Sequence, residues 1–215
     1  MRNLLLDFGG VCLRNPVELH RELERALGLP PNTFTWMGPI DPSTDPLWRQ
    51  LLAGEISEPA YWQQRARDVG DAAQRGSAWT LQDYIRVCFD LPETTIIRDG
   101  ARAIVADVRA AGGKVGILTN DLLAFHGQGW VDSIAFLRDM TSITDAAKLG
   151  VMKPDPRAYA QALADLGVGK DDVVFVDDQP RNVVGGRAFG LTTVAFDVAH
   201  PDASWAQTRR LLGMS

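Results

Sequence analysis

The chain has 215 residues, a net charge of −5 and a pI near 5.2, with 46% of its residues hydrophobic and 23% charged. That balance belongs to a globular protein able to bury a sizeable core, and it argues against disorder and against broad binding to nucleic acid or an anionic membrane. No stretch is long and apolar enough for a membrane-spanning helix, and Cys12 and Cys88 have neither disulfide-framework nor zinc-site spacing, so a cytoplasmic protein is expected.

Asn3-Leu4-Leu5-Leu6 is a short apolar run closed by Asp7-Phe8-Gly9-Gly10, which predicts a buried strand with Asp7 emerging at its carboxyl end. The two glycines permit a sharp turn and a close backbone approach to a ligand. Asn15-Pro16-Val17-Glu18 has the N-cap, first-position proline and third-position acid of a helix start, and Leu19, Leu23 and Leu27 give that helix one apolar stripe before Gly28. Residues 29–46 are proline-rich and irregular, with exposed-looking aromatics; packing of Phe34, Trp36 and Met37 in the local core is favoured over a substrate-facing loop. His20, beside Leu19, is expected at the surface or boundary. Further helix starts fall at Asp45-Pro46, Ser57-Glu58-Pro59 and Thr80-Leu81-Gln82-Asp83, and no strand is expected between 15 and about 90.

The pattern changes at Leu91-Pro92. A helix from Asp99 to Ala111 precedes a strand at 114–119; a helix within 130–139 precedes a short strand near 141–144. A helix opened by Asp155-Pro156 leads to a strand at 172–177, a helix near 181–189, a strand at 191–196 and a final helix from Asp202. Strands alternating with helices predict an α/β fold, a doubly wound parallel sheet covered on both faces. Its core would comprise residues 1–14 and 91–215, with an all-helical domain over 15–90 inserted after the first strand.

Polar residues sit at three of the predicted strand ends: Asp7, Thr119-Asn120 and Asp177-Asp178. In a doubly wound sheet such ends converge on one crevice. Three carboxylates there can hold a hard divalent cation such as Mg²⁺. The Thr119 hydroxyl and a backbone N–H near Asn120 suit phosphoryl oxygens, and Lys153, just before the Asp155 helix, offsets the negative charge.

Four segments in this order, Asp7-Phe8-Gly9-Gly10-Val11, Leu118-Thr119-Asn120, Lys153-Pro154-Asp155-Pro156 and Val176-Asp177-Asp178 with Asn182, resemble the motifs of the haloacid dehalogenase superfamily. With the helical insert, which resembles that superfamily's cap, they cover essentially the whole chain. Within the superfamily the sequence looks most similar to α-D-glucose-1-phosphatase-like proteins and the N-terminal phosphatase domain of soluble epoxide hydrolases. The resemblance implies a Mg²⁺-dependent phosphomonoesterase in which Asp7 is the nucleophile and forms an aspartyl-phosphate. It implies metal ligation by Asp7, Asp177 and the Gly9 carbonyl, with Asp178 direct or through water. It implies phosphoryl binding by Thr119, Asn120 and Lys153, and a loop-ordering role for Asn182. The substrate would be a small phosphorylated metabolite, with no nucleic-acid or membrane partner, and the chain a monomer or homodimer.

One position departs from the pattern. Such phosphatases carry a general acid-base Asp two residues after the nucleophile, and here that residue is Gly9. The expectation is a bias toward good leaving groups, such as sugar 1-phosphates, aryl phosphates or acyl phosphates, or an acid borrowed from the cap.

A 2-haloacid dehalogenase also lacks the second Asp, but it needs no metal and has no use for Asp177-Asp178. A degenerate binding module is the non-enzymatic alternative, and Gly9 is its only support. A phosphonoacetaldehyde-type hydrolase is excluded because no lysine precedes Lys114, and a β-phosphoglucomutase needs the missing acid. Cys12 lies near Asp7 but reads as a small buried hydrophobe. His126 in its glycine-rich stretch reads as a solvated loop residue, with a replacement proton donor as the alternative, and Arg14 as a surface residue.

Overall fold

The computed structural model describes residues 3–214. Five strands, β1 (Asn3–Leu6), β2 (Val115–Thr119), β3 (Ser142–Asp145), β4 (Val173–Asp177) and β5 (Thr192–Ala195), form one sheet in the order β3-β2-β1-β4-β5. Every pairing is parallel. Order reverses at β1, which pairs with β2 on one side and β4 on the other, so the crevice beyond its carboxyl end is the topological switch point. Strands buried on both faces need continuous apolar runs, and Leu4, Leu5 and Leu6 are wholly buried, each contributing roughly 1.5–3 kcal/mol relative to exposure.

Asn15–Pro92 forms one compact unit and the rest of the chain another. The smaller unit holds α1 (His20–Leu27), α2 (Pro46–Leu52), α3 (Glu58–Ala72) and α4 (Leu81–Phe89). Its starts follow the sequence signals. Asn15 and Glu18 form the expected capping box, although on a 3₁₀ turn (Pro16–Leu19) that leads into α1, and Thr80 and Asp83 form another at α4.

The larger unit contains α5 (Glu93–Ile96), α6 (Asp99–Ala110), α7 (Leu122–His126), α8 (Gln128–Ser133), α9 (Pro156–Leu166), α10 (Pro180–Phe189) and α11 (Pro201–Leu212). Helices α6 and α11 pack together on one face of the sheet, α9 and α10 on the other. Short α5 and α7 have no counterpart in the sequence reading, because one turn of helix carries too little periodicity to read.

The sequence misplaces His20. It is buried in the smaller unit, edge-on to Trp36 at 4.2 Å between centroids and against Phe34 at 5.6 Å. Phe34 is buried and Trp36 half-buried, so this segment packs into its own core. Two buried acids organise it. Glu24 accepts the Asn32 and Phe34 N–H groups, both at 3.0 Å, while Asp45 caps α2 through Trp48 N–H (2.8 Å) and accepts the Tyr61 hydroxyl (2.8 Å). Arg65 pairs with Asp45 and lies over the Trp36 ring at 4.4 Å.

Neither His20 ring nitrogen has a hydrogen-bond partner among the described residues. Burial pushes the imidazole down to about 4 from 6.5, with Glu24 and Asp45 pulling up and Arg65 pulling down. The unfolded chain therefore takes up a proton near pH 6.5 that the folded unit accepts only near pH 4. Folding stability drops as pH falls through that window, by about 3 kcal/mol when complete. In His20→Leu the fluorescence-detected thermal midpoint is expected to fall less between pH 7 and pH 4.5 than in wild type. Parallel pH profiles for the two proteins would reject this account.

Candidate active site

Three strand ends and one loop meet at the switch point. Asp7 leaves β1, Thr119 ends β2, Asp177 ends β4, and Lys153 enters just ahead of α9. The Lys153 ammonium is 2% exposed and lies 2.8 Å from Asp7 Oδ1, 2.7 Å from Asp177 Oδ2 and 2.8 Å from the Leu118 carbonyl oxygen. Three donors thus meet three acceptors, which is what a buried ammonium requires. Burial works against its charge, but Asp177 and Asp7 outweigh burial and hold the lysine above its ordinary range.

The loop carrying Lys153 is fixed by Asn120. Its Oδ1 accepts the Lys153 N–H at 2.7 Å and its Nδ2 donates to the Lys153 carbonyl at 3.3 Å. The side chain of Asn120 is therefore engaged in positioning Lys153, and the backbone is what remains for a ligand. Asp155 caps α9 by accepting the Arg157 N–H at 2.9 Å. The Thr119 hydroxyl, on a residue only 5% exposed, makes no hydrogen bond among the described residues.

Asp177 is wholly buried; its Oδ1 accepts the Gln179 N–H at 2.8 Å and the Asn182 amide at 3.1 Å. Tyr159 donates to the Asn182 carbonyl at 2.8 Å, so Asn182 is held from below as well. Asp7, Asp177 and Asp178 each offer a carboxylate oxygen, and these oxygens lie within 4.8 Å of one another. Burial drives the Asp7 carboxyl up to about 7, with Lys153 opposing and Asp177 reinforcing the rise. Asp7 and Asp177 share the one Lys153 ammonium, and an all-oxygen donor set is what a hard divalent cation prefers.

Cys12 is buried and donates its thiol to the Asp7 carbonyl oxygen at 3.3 Å. Burial and the neighbouring Asp7 raise its pKa well above the ordinary value, so it is an inert packing group. His126 is not a solvated loop residue. It ends α7 and stacks on Trp130 at 4.0 Å, which in turn meets Phe8 edge-on at 6.2 Å. Burial pushes the imidazole down to about 3, leaving it neutral near pH 7 and so not a general acid there. Sequence reasoning passed over Asp145 at the end of β3, which accepts the Leu123 N–H at 3.0 Å and so fixes the segment after Asn120. Its only sequence signal is its place as a fourth polar strand end.

A parallel, doubly wound sheet with carboxylates gathered at its switch point defines a class of α/β proteins whose active groups sit on strand ends. The chain belongs to the haloacid dehalogenase-like hydrolase family, which it matches over residues 1–190. It is 36% identical over 99 residues to a phosphatase of Mycobacterium tuberculosis, covering 45% of each chain. It is 29% identical over 98 residues to a phosphoserine phosphatase of Thermus thermophilus, covering 45% of this chain and 39% of that one. The match thus spans less than half the length of these curated relatives. The magnesium-bound HAD-hydrolase YfnB of Bacillus subtilis superposes over 99% of both chains with a TM-score of 0.69 at 16% identity. An L-2-haloacid dehalogenase of Xanthobacter autotrophicus shares the fold at a TM-score of 0.54 and 16% identity, covering 90% of this chain and 76% of that one.

Proposed function

We propose that this hydrolase is a Mg²⁺-dependent phosphomonoesterase that works through an aspartyl-phosphate on Asp7. The observation that carries the reading is the carboxylate cluster of Asp7, Asp177 and Asp178, the first two of which pair with Lys153. A dehalogenase has no use for such a cluster, and relatives named phosphatases match part of the chain. Asp7, Asp177, the Gly9 carbonyl and Asp178 would hold the ion. When bound, Mg²⁺ neutralises charge on the phosphoryl oxygens.

Asp7 Oδ1 is held by Lys153 and by the Phe8 N–H at 2.8 Å, which presents Oδ2 for attack on phosphorus. The new P–O bond to Asp7 forms as the bond to the leaving oxygen breaks. Thr119, Lys153 and the N–H near Asn120 hold the phosphoryl oxygens in line. Water then attacks phosphorus, the bond to Asp7 breaks, and inorganic phosphate leaves. Residues 15–92 would act as the cap that selects the substrate and excludes water.

Gly9 supplies no proton to the leaving oxygen, so the preferred substrates are small phosphorylated metabolites with a good leaving group, of the sugar 1-phosphate kind. The test is phosphate release from aryl, acyl, sugar 1-, sugar 6- and alkyl phosphates, with Mg²⁺ and with a chelator. Release that needs the metal and ranks by leaving group supports the proposal, and silence across the panel rejects it.

A Cβ built on Gly9 meets nothing within 4 Å, and this residue does not have a positive φ. Gly9→Asp is therefore expected to fold normally and to raise turnover of alkyl phosphates by about 10²-fold, while changing good leaving groups little. A uniform effect on all substrates would show that leaving-group protonation is not what Gly9 lacks.

A further inference from the structure

In the turn after the nucleophile Phe8, Gly10, Val11 and Cys12 are buried, and Gly9 alone is exposed. Gly9 and Gly10 are the backbone with the most freedom to lose on folding, and nothing packs against Gly9 on the side where a Cβ would stand. The hydrogen bonds that fix the turn fall on either side of Gly9. The Phe8 carbonyl accepts the N–H groups of Cys12 (3.0 Å) and Leu13 (2.8 Å). The Gly10 carbonyl accepts both Nε (3.1 Å) and Nη2 (3.0 Å) of Arg98.

Arg98 is only 4% exposed, and a buried guanidinium is costly unless it is committed to partners. It stands on a backbone ladder. Its N–H donates to the Cys12 carbonyl at 2.9 Å, the Arg14 N–H donates to the Ile96 carbonyl at 2.8 Å, and Leu13 bridges Ile97 antiparallel. Its guanidinium carbon sits 5.5 Å from the Phe196 ring centroid. Asp178 also packs against Gly10: a Cβ placed on Gly10, whose φ is +77°, would fall 2.5 Å from Asp178 Oδ2.

We infer that Arg98 is a positioning residue for the metal-binding turn, an inference that rests on the carboxylate cluster taking a divalent cation. Gly10 meets the Arg98 fork on its carbonyl and the Asp178 carboxylate where a Cβ would stand. These contacts fix the Gly10–Val11 peptide and Gly10 itself, and through Gly10 they restrain the preceding peptide, whose carbonyl is Gly9's and is the backbone ligand offered to the ion. They also link the turn to Asp178, so two ligands move together. The role needs a fork, because two nitrogens on one carbonyl fix direction as well as distance. A lysine keeps the charge and loses the fork.

The test is calorimetric titration of the full chain with Mg²⁺ in the absence of substrate, on wild type, Arg98→Lys and Arg98→Met, with a thermal melt of each without metal. Wild type is expected to bind, and Arg98→Lys to stay folded with its affinity lowered by about tenfold or more, as for other residues that orient metal ligands. Arg98→Met, which loses the charge too, is expected to bind still more weakly. Wild-type affinity in a folded Arg98→Lys would overturn the inference while leaving the metal reading standing. Unfolding of both variants would assign Arg98 to the fold alone and overturn it as well. Absence of Mg²⁺ binding in wild type would overturn the metal reading and this inference with it.

Discussion

Replacing Asp7 with asparagine is expected to lower turnover by about 10⁴-fold or more while leaving the fold intact. The amide has the shape of the carboxyl group, and its oxygen can still accept from the Phe8 N–H and from Lys153, which hold Asp7 Oδ1 at 2.8 Å each. What it lacks is an anionic oxygen to form the bond to phosphorus, and neither Cys12 nor Asp177 takes its place. Cys12 is turned to the Asp7 carbonyl with its thiol kept protonated, and Asp177 is tied to Lys153, Gln179 and Asn182.

The substitution also changes the charge count. In wild type the Asp7 and Asp177 carboxylates share the Lys153 ammonium; in the variant Asp177 and Lys153 pair one to one. The metal-free variant is therefore expected to melt at the wild-type temperature or above it, and to bind Mg²⁺ more weakly for want of one carboxylate. Phosphate release and thermal melts on the same samples check both halves. Activity within tenfold of wild type would remove Asp7 from the nucleophile's place. A lowered melting temperature would trace the loss to the fold instead.

The sheet was legible from sequence because its strands are buried on both faces and so must be continuous apolar runs, as in Leu4–Leu6 and Val173–Val176. Helix starts were legible because caps are local chemistry, visible at Asn15, Asp45, Ser57, Thr80 and Asp155. The gathering of Asp7, Thr119 and Asp177 follows from parallel strands ending at one edge, and Lys153 comes in on the loop before α9. Polar groups whose burial depends on distant partners were not legible. His20 looks like a surface residue until Phe34 and Trp36 fold back over it, and nothing near Arg98 points to Gly10, 88 residues away. His126 is hidden for a local reason, since its stack with Trp130, four residues on, depends on how the chain turns at Gly127.

The second large effect is expected from Lys153→Met, which keeps the volume of the side chain and removes the ammonium. Asp7 and Asp177 would then face each other beside Asp178 with their shared counter-charge gone, Asp177 wholly buried and Asp7 8% exposed. Breaking a buried pair by deleting one partner costs about 3–5 kcal/mol, which for a chain of this size lowers the melting temperature by roughly 6–20 °C. The Leu118 carbonyl loses a hydrogen bond as well. Turnover should fall by about 10³-fold or more, because an ammonium aimed at phosphoryl oxygens stabilises charge in the transition state. Metal separates this account from simple damage to the core. If the carboxylates bind Mg²⁺, the ion replaces the missing positive charge, so saturating Mg²⁺ should raise the melting temperature of Lys153→Met by more degrees than that of wild type. Thermal melts of both proteins with and without Mg²⁺ measure this directly. A smaller or equal metal effect in the variant would mean that Lys153 holds the loop before α9 in place and does not balance the charge of a metal site.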